Sequence, residues 1–330
     1  MLKSLLNETQ PIVYHALENA LANDTVSSAY LFNGPYGTPK KEAAILLAQS
    51  IMCENNDHGL ACEDCNTCQR IAHNTYADLI ILDGHEESIS KEMVDEVQSR
   101  FSKTALEKNG RKVYIILNCE NATISAQNSM LKFLEEPTEG VTAILTCDNI
   151  NRLLPTIVSR CTTIPFMPIS SNYYVSKAIE YGFNESDAYF VSKIAKTDSD
   201  LSLLYEDGKV TDLYNNILGM FKDFVSGKKK DVLIDYQVSY KISDSDKKKS
   251  KTENMFLLSS FFTLVISYCH DVINHNLVSY DWYQRAISKE KMDKDHLIDL
   301  IVTMSDSRDK INRSNDLDLL MDQTFYKLEG

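Results

Sequence analysis

Positive charge is in short supply: 34 Lys and Arg stand against 47 Asp and Glu in 330 residues, a formal net charge of −13. Gripping nucleic acid with a whole surface needs concentrated Lys and Arg to neutralise phosphates, so this balance excludes such a protein. The lysines at 228–230 and 247–251 are a local exception. Asp231, Asp235, Asp244, Asp246 and Glu253 are interspersed with them, so the run reads as a solvated loop between helices. Long apolar runs are also missing. Residues 1–8 hold no stretch of signal-peptide length, and residues 255–266, the most apolar late stretch, are too short to span a bilayer. With Ser259, Ser260 and Thr263 inside it, that stretch reads as a buried helix; the expectation is a cytoplasmic protein with no membrane contact. Internal repeats and low-complexity tracts are absent.

What is present suits a soluble protein of two or three domains: 43% hydrophobic and 25% charged residues. The first half alternates apolar strands with helical patterns. Strands are expected at 29–33, 78–83, 112–117, 141–146 and 162–166. Helices are expected at 39–52, after a Ser90 cap around Met93, Val94 and Val97, and at 126–136, ended by Pro137. Continuous apolar strands separated by helices imply a parallel sheet covered on both faces. After Pro168 the strands stop, and the remainder reads as helical, in a small unit at 170–205 and a larger one from 210.

Between the first strand and its helix stands Gly34-Pro-Tyr-Gly-Thr-Pro-Lys-Lys41. This is the strand–loop–helix context of a phosphate loop, G-x-x-x-x-G-K-[ST]. There the last Gly lets backbone N–H groups reach the phosphates, Lys neutralises them, and the hydroxyl ligates Mg²⁺. Here the last Gly position is Pro39, which has no N–H, and the hydroxyl position is Lys41. Gly34, Gly37 and Lys40 persist. A plain turn before a helix with Pro39 at its first position is the bland reading; a decayed ATP site is the other. Decay is favoured because the third strand, which should end in acids that hold Mg²⁺ and position water, runs into Leu117-Asn118. Its first acid is Glu120, three residues late.

Four of the eight cysteines, Cys53, Cys62, Cys65 and Cys68, fall within sixteen residues. Their C-x8-C-x2-C-x2-C spacing fits around one tetrahedral ion, and four thiolates leave no open position, so a structural rather than catalytic Zn²⁺ is expected. Cys62-x2-Cys65 alone would suit a redox pair equally, but four close cysteines in a polar insert favour metal. His58 and His73 flank the cluster as bystanders. Arg160, in Leu154-Pro-Thr-Ile-Val-Ser-Arg-Cys161, is by default a surface arginine. It gains interest because an ATPase fold with a dead site can still supply an arginine to a neighbour's γ-phosphate.

In order along the chain, Ala29-Tyr-Leu-Phe-Asn-Gly-Pro-Tyr-Gly37, the Cys53–Cys68 module, Ala126-Gln-Asn-Ser-Met-Leu-Lys-Phe-Leu-Glu-Glu-Pro137 and the Ser159-Arg-Cys161 triplet resemble bacterial DNA polymerase III clamp-loader subunits of the delta-prime type, within the AAA+ superfamily. The resemblance covers about residues 10–168; beyond it, 311–321 is similar to the family's final collar helix. It implies an AAA+ domain with a zinc module at 53–68 (residues 1–168), a small helical lid (169–207) and an all-helical collar (208–330). It further implies a ring with gamma/tau motor subunits and a delta subunit that loads the sliding clamp onto primer-template DNA. In that ring Arg160 would be an arginine finger acting in trans. The gamma/tau siblings share the zinc module and the triplet, and Pro39, Lys41, Leu117 and Asn118 set this chain apart from them, so no intrinsic ATPase activity is expected. Two alternatives stay open: the gamma/tau sibling itself or another free-standing ATPase, and a zinc-stabilised scaffold or regulator that merely inherited the fold.

Overall fold

The structure, a computed structural model, describes residues 1–55, 59–84, 87–101, 105–107, 109–136, 138–228, 231–234, 236, 247–276, 280–311 and 316–329; for 247–250 and 329 it describes the backbone alone. These residues form two compact units, Met1–Ile169 and Ser170–Gly330.

The first unit is built on five parallel strands: β1 (Ala29–Asn33), β2 (Leu79–Asp83), β3 (Lys112–Leu117), β4 (Val141–Cys147) and β5 (Thr162–Pro165). Their spatial order is β2-β3-β4-β1-β5. Helices α1 (Leu2–Thr9), α2 (Pro11–Ala22), α3 (Lys40–Met52) and α4 (Asn66–Ala72) precede β2; α5 (Lys91–Phe101), α6 (Ile124–Glu135) and α7 (Pro155–Val158) come later. Strand side chains alternate between faces. Tyr30, Phe32, Val113, Ile115 and Leu117 therefore enter one core with Leu6, Leu17 and Leu47, while Leu31, Tyr114, Ile116 and Leu145 enter another with Val94, Met130 and Ile157. Both faces are dry, which is why the strands read as unbroken apolar runs. The expected parallel sheet with a cysteine module between α3 and β2 and helices after it is the one observed.

Local signals set the helix starts. Ser90 Oγ accepts the Met93 amide before α5, and Thr123 accepts that of Ala126 before α6, so α6 begins two residues earlier than the pattern alone suggests. Pro137 lies outside the described residues.

The second unit is helical, with one correction. A two-stranded hairpin pairs Tyr205–Glu206 with Lys209–Val210 around Asp207 and Gly208, both at positive φ (51° and 77°). An Asp-Gly pair with two left-handed residues is the turn that matches strand twist, so the strands do not end at Pro168. The helices share one core containing Phe190, Phe221, Phe261, Tyr268 and Met304. Buried tyrosines there donate to carboxylates: Tyr214 to Asp187 (2.7 Å), Tyr283 to Asp271 (2.8 Å) and Tyr268 to Glu290 (2.8 Å). The apolar stretch expected at 255–266 belongs to a longer helix, Lys247–Ile273. Within it, Lys251–Ile273 is long and apolar enough for a membrane by length and composition, and just over half of its most apolar stretch is buried among the unit's other helices. The lysines at 247–251 open this helix instead of lying in a loop. Lys229, Lys230, Asp235, Asp244 and Asp246 lie outside the described residues.

Gly34 sits where β1 passes into the loop, and a Cβ there would come within 2.6 Å of Phe166 Cβ and 2.7 Å of its carbonyl oxygen. The Phe166 amide donates to Asn33 O at 2.7 Å, so the backbone cannot retreat without breaking that bond. Gly34→Ala is accordingly expected to destabilise the first unit by about 1–3 kcal/mol. A lowered urea midpoint would show it; an unchanged midpoint would mean that Phe166 moves aside freely.

Candidate functional site

Two features of the first unit share one helix. The loop of residues 34–39 lies at the start of α3, and Cys53 caps its other end.

In the loop, Gly37 takes a left-handed φ of 83°, and Thr38 Oγ1 donates to Pro35 O at 2.7 Å. Pro39 is the N-cap of α3 and donates nothing. Lys40 is 5% exposed, and its side chain turns back into the loop. Its Nζ donates to Gly34 O (2.8 Å), Pro35 O (3.0 Å) and Thr38 Oγ1 (2.9 Å), and lies 2.8 Å from Asp148 Oδ1. Three N–H donors thus face four oxygens. Lys41 points elsewhere, with its Nζ 3.7 Å from Asp83 Oδ2.

Asp148 follows β4 directly and is in no sequence motif singled out above. Its position was legible in one respect: a polar residue just past a buried parallel strand lies at the sheet's carboxyl edge, where such folds bind ligands. Asn118, held at φ 48°, donates from Nδ2 to Asp148 Oδ2 at 3.3 Å and takes Thr146 Oγ1 as acceptor for its amide at 3.0 Å. Leu117, where an ATPase would place its metal-holding acid, is 3% exposed in the core on the α3 side. Glu120 accepts the Asp148 amide at 2.7 Å through Oε1, while Oε2 is buried with no hydrogen-bond partner among the described residues. Burial raises the Glu120 carboxyl above its ordinary range. The edge of the sheet is therefore filled by a Lys–Asp pair with Asn118 and Glu120 bracing the anion.

The cysteines converge as the spacing requires. The four Sγ atoms lie within 4.8 Å of one another, with Cys53–Cys62 at 3.6 Å, Cys53–Cys65 at 3.8 Å and Cys62–Cys68 at 4.0 Å. A tetrahedron with metal–sulfur bonds of about 2.3 Å has sulfur–sulfur edges of about 3.8 Å, so the donor set fits one ion. The Cys65 and Cys68 amides point at Cys62 Sγ (3.4 Å) and Cys65 Sγ (3.5 Å), and Glu63 takes φ 65° to make the knuckle. Amide donation from Cys65 and Asp64 pulls the Cys62 thiol down to about 6, whereas burial raises Cys53 and Cys68. The four cysteines could bind a metal ion. His73 bonds its own helix at Gln69 O (2.7 Å) and stays out of the set; His58 lies outside the described residues. Gln49 Nε2 to Cys68 O (2.8 Å) and the Ala61 amide to Ser50 Oγ (2.9 Å) fasten the module to α3.

Arg160 lies between α7 and β5, a third exposed. Nη1 donates to Thr156 O at 2.9 Å, and Nη2 pairs with Glu135 Oε1 at 2.7 Å. The arginine of one motif is thus joined to the first glutamate of Leu-Glu-Glu-Pro in another, a link the sequence did not suggest.

Residues 9–170 match the family model described as DNA polymerase III, delta subunit. The chain is 42% identical over 175 residues to DNA polymerase III subunit delta' of Bacillus subtilis, covering 53% of each protein. It is 36% identical over 135 residues to the delta' subunit of Pseudomonas aeruginosa, covering 40% of this chain and 41% of that one. It is also 34% identical over 170 residues to subunit tau of B. subtilis, covering 51% of this chain and 30% of tau. The match thus spans about half the length of the delta' relative from B. subtilis. The resemblance to delta-prime subunits read from the sequence is borne out.

Removing the internal anion should expose what it does. Asp148→Ala strands a buried ammonium with only neutral acceptors, which is expected to cost about 2–3 kcal/mol in a urea melt, while Lys40→Met with Asp148→Leu recovers most of that loss. Equal stability of Asp148→Ala and the native chain would show that the pair contributes nothing.

Proposed function

We propose that this chain is a non-hydrolysing, delta-prime-type clamp-loader subunit, working in a ring with gamma/tau motor subunits and a delta subunit to load the sliding clamp onto primer-template DNA. The observation that carries the non-hydrolysing part is Lys40, whose three donors are taken by its own loop and by Asp148. An incoming triphosphate would have to break the ion pair, and it would meet Pro39 in place of an N–H donor and Leu117 and Asn118 in place of metal-holding acids. The degenerate loop is then a structural corner and no longer a nucleotide site.

In this reading Arg160 reaches the γ-phosphate of ATP held by a neighbouring motor subunit, where a planar, permanently charged fork binds two oxygens at once. The cysteine centre, Cys53, Cys62, Cys65 and Cys68, holds a structural Zn²⁺, because four sulfur ligands select a closed tetrahedral site. Residues 1–168 are the ATPase-like domain, 169–207 the lid, and 208–330 the collar through which the ring is held. The protein works in the cytoplasm.

Two measurements test this. Calorimetry of the isolated chain with Mg-ATP is expected to show no binding up to millimolar nucleotide, and the chain is expected to co-purify with the motor subunit. Micromolar ATP binding would overturn the dead site; turnover by the pure chain would point to the motor sibling; indifference to the motor subunit would favour a scaffold outside the clamp loader.

For the metal, analysis of protein purified without chelators should find about one Zn²⁺ per chain, and Cys65→Ser should release it while the parallel sheet stays folded. Four free, titratable thiols in protein prepared that way would exclude the site.

A further inference from the structure

We infer that Glu135 is a positioning residue for Arg160: it holds the guanidinium in one rotamer, aimed outward from the first unit, so that it meets a neighbour's phosphate already oriented. This rests on the reading of Arg160 as a finger acting in trans.

The contacts around Arg160 form a frame, not a chance surface pair. Thr156 O takes Nη1 and Glu135 Oε1 takes Nη2, so both arms of the fork are fixed, from different elements. Glu135 is the last residue of α6, and Thr156 lies in α7. Those two helices are themselves tied, because the Leu154 amide at the head of α7 donates to Gln127 Oε1 of α6 at 3.0 Å. Ile157 and Leu134 bury into the same core, and the partly buried Cys161 packs against it directly after the arginine. The anchors therefore cannot drift relative to each other.

Energetics separate this role from a structural one. The side chains of Arg160 and Glu135 are 33% and 48% exposed, and an ion pair so open to water adds little stability. It does restrict a side chain with a large rotamer freedom, and fixing a fork in advance matters where two phosphate oxygens must be met together. Each outer nitrogen has a second N–H beyond the one these bonds use, and Nε–H brings the donors of the group to five. Glu135 thus orients the fork without consuming it.

The test uses the ring reconstituted from the full-length chain, the motor subunit and the delta subunit, with clamp- and DNA-stimulated ATP hydrolysis as the readout. Arg160→Ala, Glu135→Ala, Glu135→Gln and the double Ala variant are compared. Glu135→Ala is expected to lower kcat at the site served by this subunit by about tenfold, with KM for ATP little changed, and to shift the melting temperature of the isolated chain by no more than about 2 °C. Glu135→Gln, which keeps an acceptor for Nη2, should stay within about threefold of native. The double variant should be no worse than Arg160→Ala alone, because the two residues act through one group. Native hydrolysis with Glu135→Ala while Arg160→Ala is impaired would overturn the positioning role and leave the finger standing. Further loss in the double variant, or failure of Glu135→Ala to enter the ring, would also overturn it. Native hydrolysis with Arg160→Ala would remove the finger reading and this inference with it.

Discussion

The architecture of the first unit converges on one buried ion pair, Lys40 with Asp148. An ammonium 5% exposed to water needs an anion or several strong acceptors, since desolvating it alone would cost several kcal/mol. In a working phosphate loop the anion is the ligand's phosphate. Here it is supplied by the chain, and the sheet makes that possible. β1 and β4 are adjacent and parallel, with Asn33 opposite Cys147, so the residues that follow each strand, the loop and Asp148, emerge side by side. The Gly34 amide still donates to Cys147 O at 3.2 Å, which continues the ladder one step into the loop. A carboxylate one residue past β4 is thereby delivered to the ammonium without any distortion of the strands.

The neighbouring residues fit the same pair. Leu117 gives its volume to the core on the α3 side, whereas an acid there would need a cation. Asn118 turns into the left-handed region and spends its amide group on Asp148, and Glu120 receives the Asp148 amide. Asn118 and Glu120 thus support an internal carboxylate. The strand end and the loop are therefore joined through one internal anion, Asp148, which meets Lys40 on one side and Asn118 on the other. The far end of α3 repeats the logic with the signs reversed: sulfurs from Cys53 to Cys68 gather within 4.8 Å, a set of donors that suits a cation.

Much of this was legible in the sequence, and the remainder was not, for a definite reason. Strand bounds at Ala29–Asn33 and Lys112–Leu117 follow directly from apolar runs that end at a turn residue or a polar one. The cysteine cluster was legible because all four sulfur donors lie close together in the chain. The partnerships of Lys40 with Asp148 and Arg160 with Glu135 span 108 and 25 residues, as the numbering gives, and depend on which strands and helices become neighbours. Spacing carries no information about that order in a parallel sheet. The hairpin at Asp207-Gly208 is a different case, since its signal was present in the dipeptide and was outweighed by the helical pattern on both sides. The apolar stretch 255–266 is the centre of a longer helix, which extends over residues 247–254 and 267–273 with polar positions among them that helical geometry accepts and apolarity does not mark.

The family match ends at residue 170, and the first compact unit ends at Ile169. This coincidence has a physical basis. In the first unit many positions are fixed by contacts with a single solution: Gly34 against Phe166, Lys40 against three oxygens of its own loop, four sulfurs around one point. Few residue types satisfy any of these contacts. The second unit asks for less. A helical core accepts many apolar combinations if volume and pattern are kept, and its polar fixtures are local matters of one hydroxyl meeting one carboxylate, as in Tyr214 with Asp187 or Tyr268 with Glu290. Such pairs can be exchanged for others, or for apolar contacts, without altering where the helices run. The boundary of the match thus falls where contacts with a single solution give way to a helical core that many apolar combinations would fill.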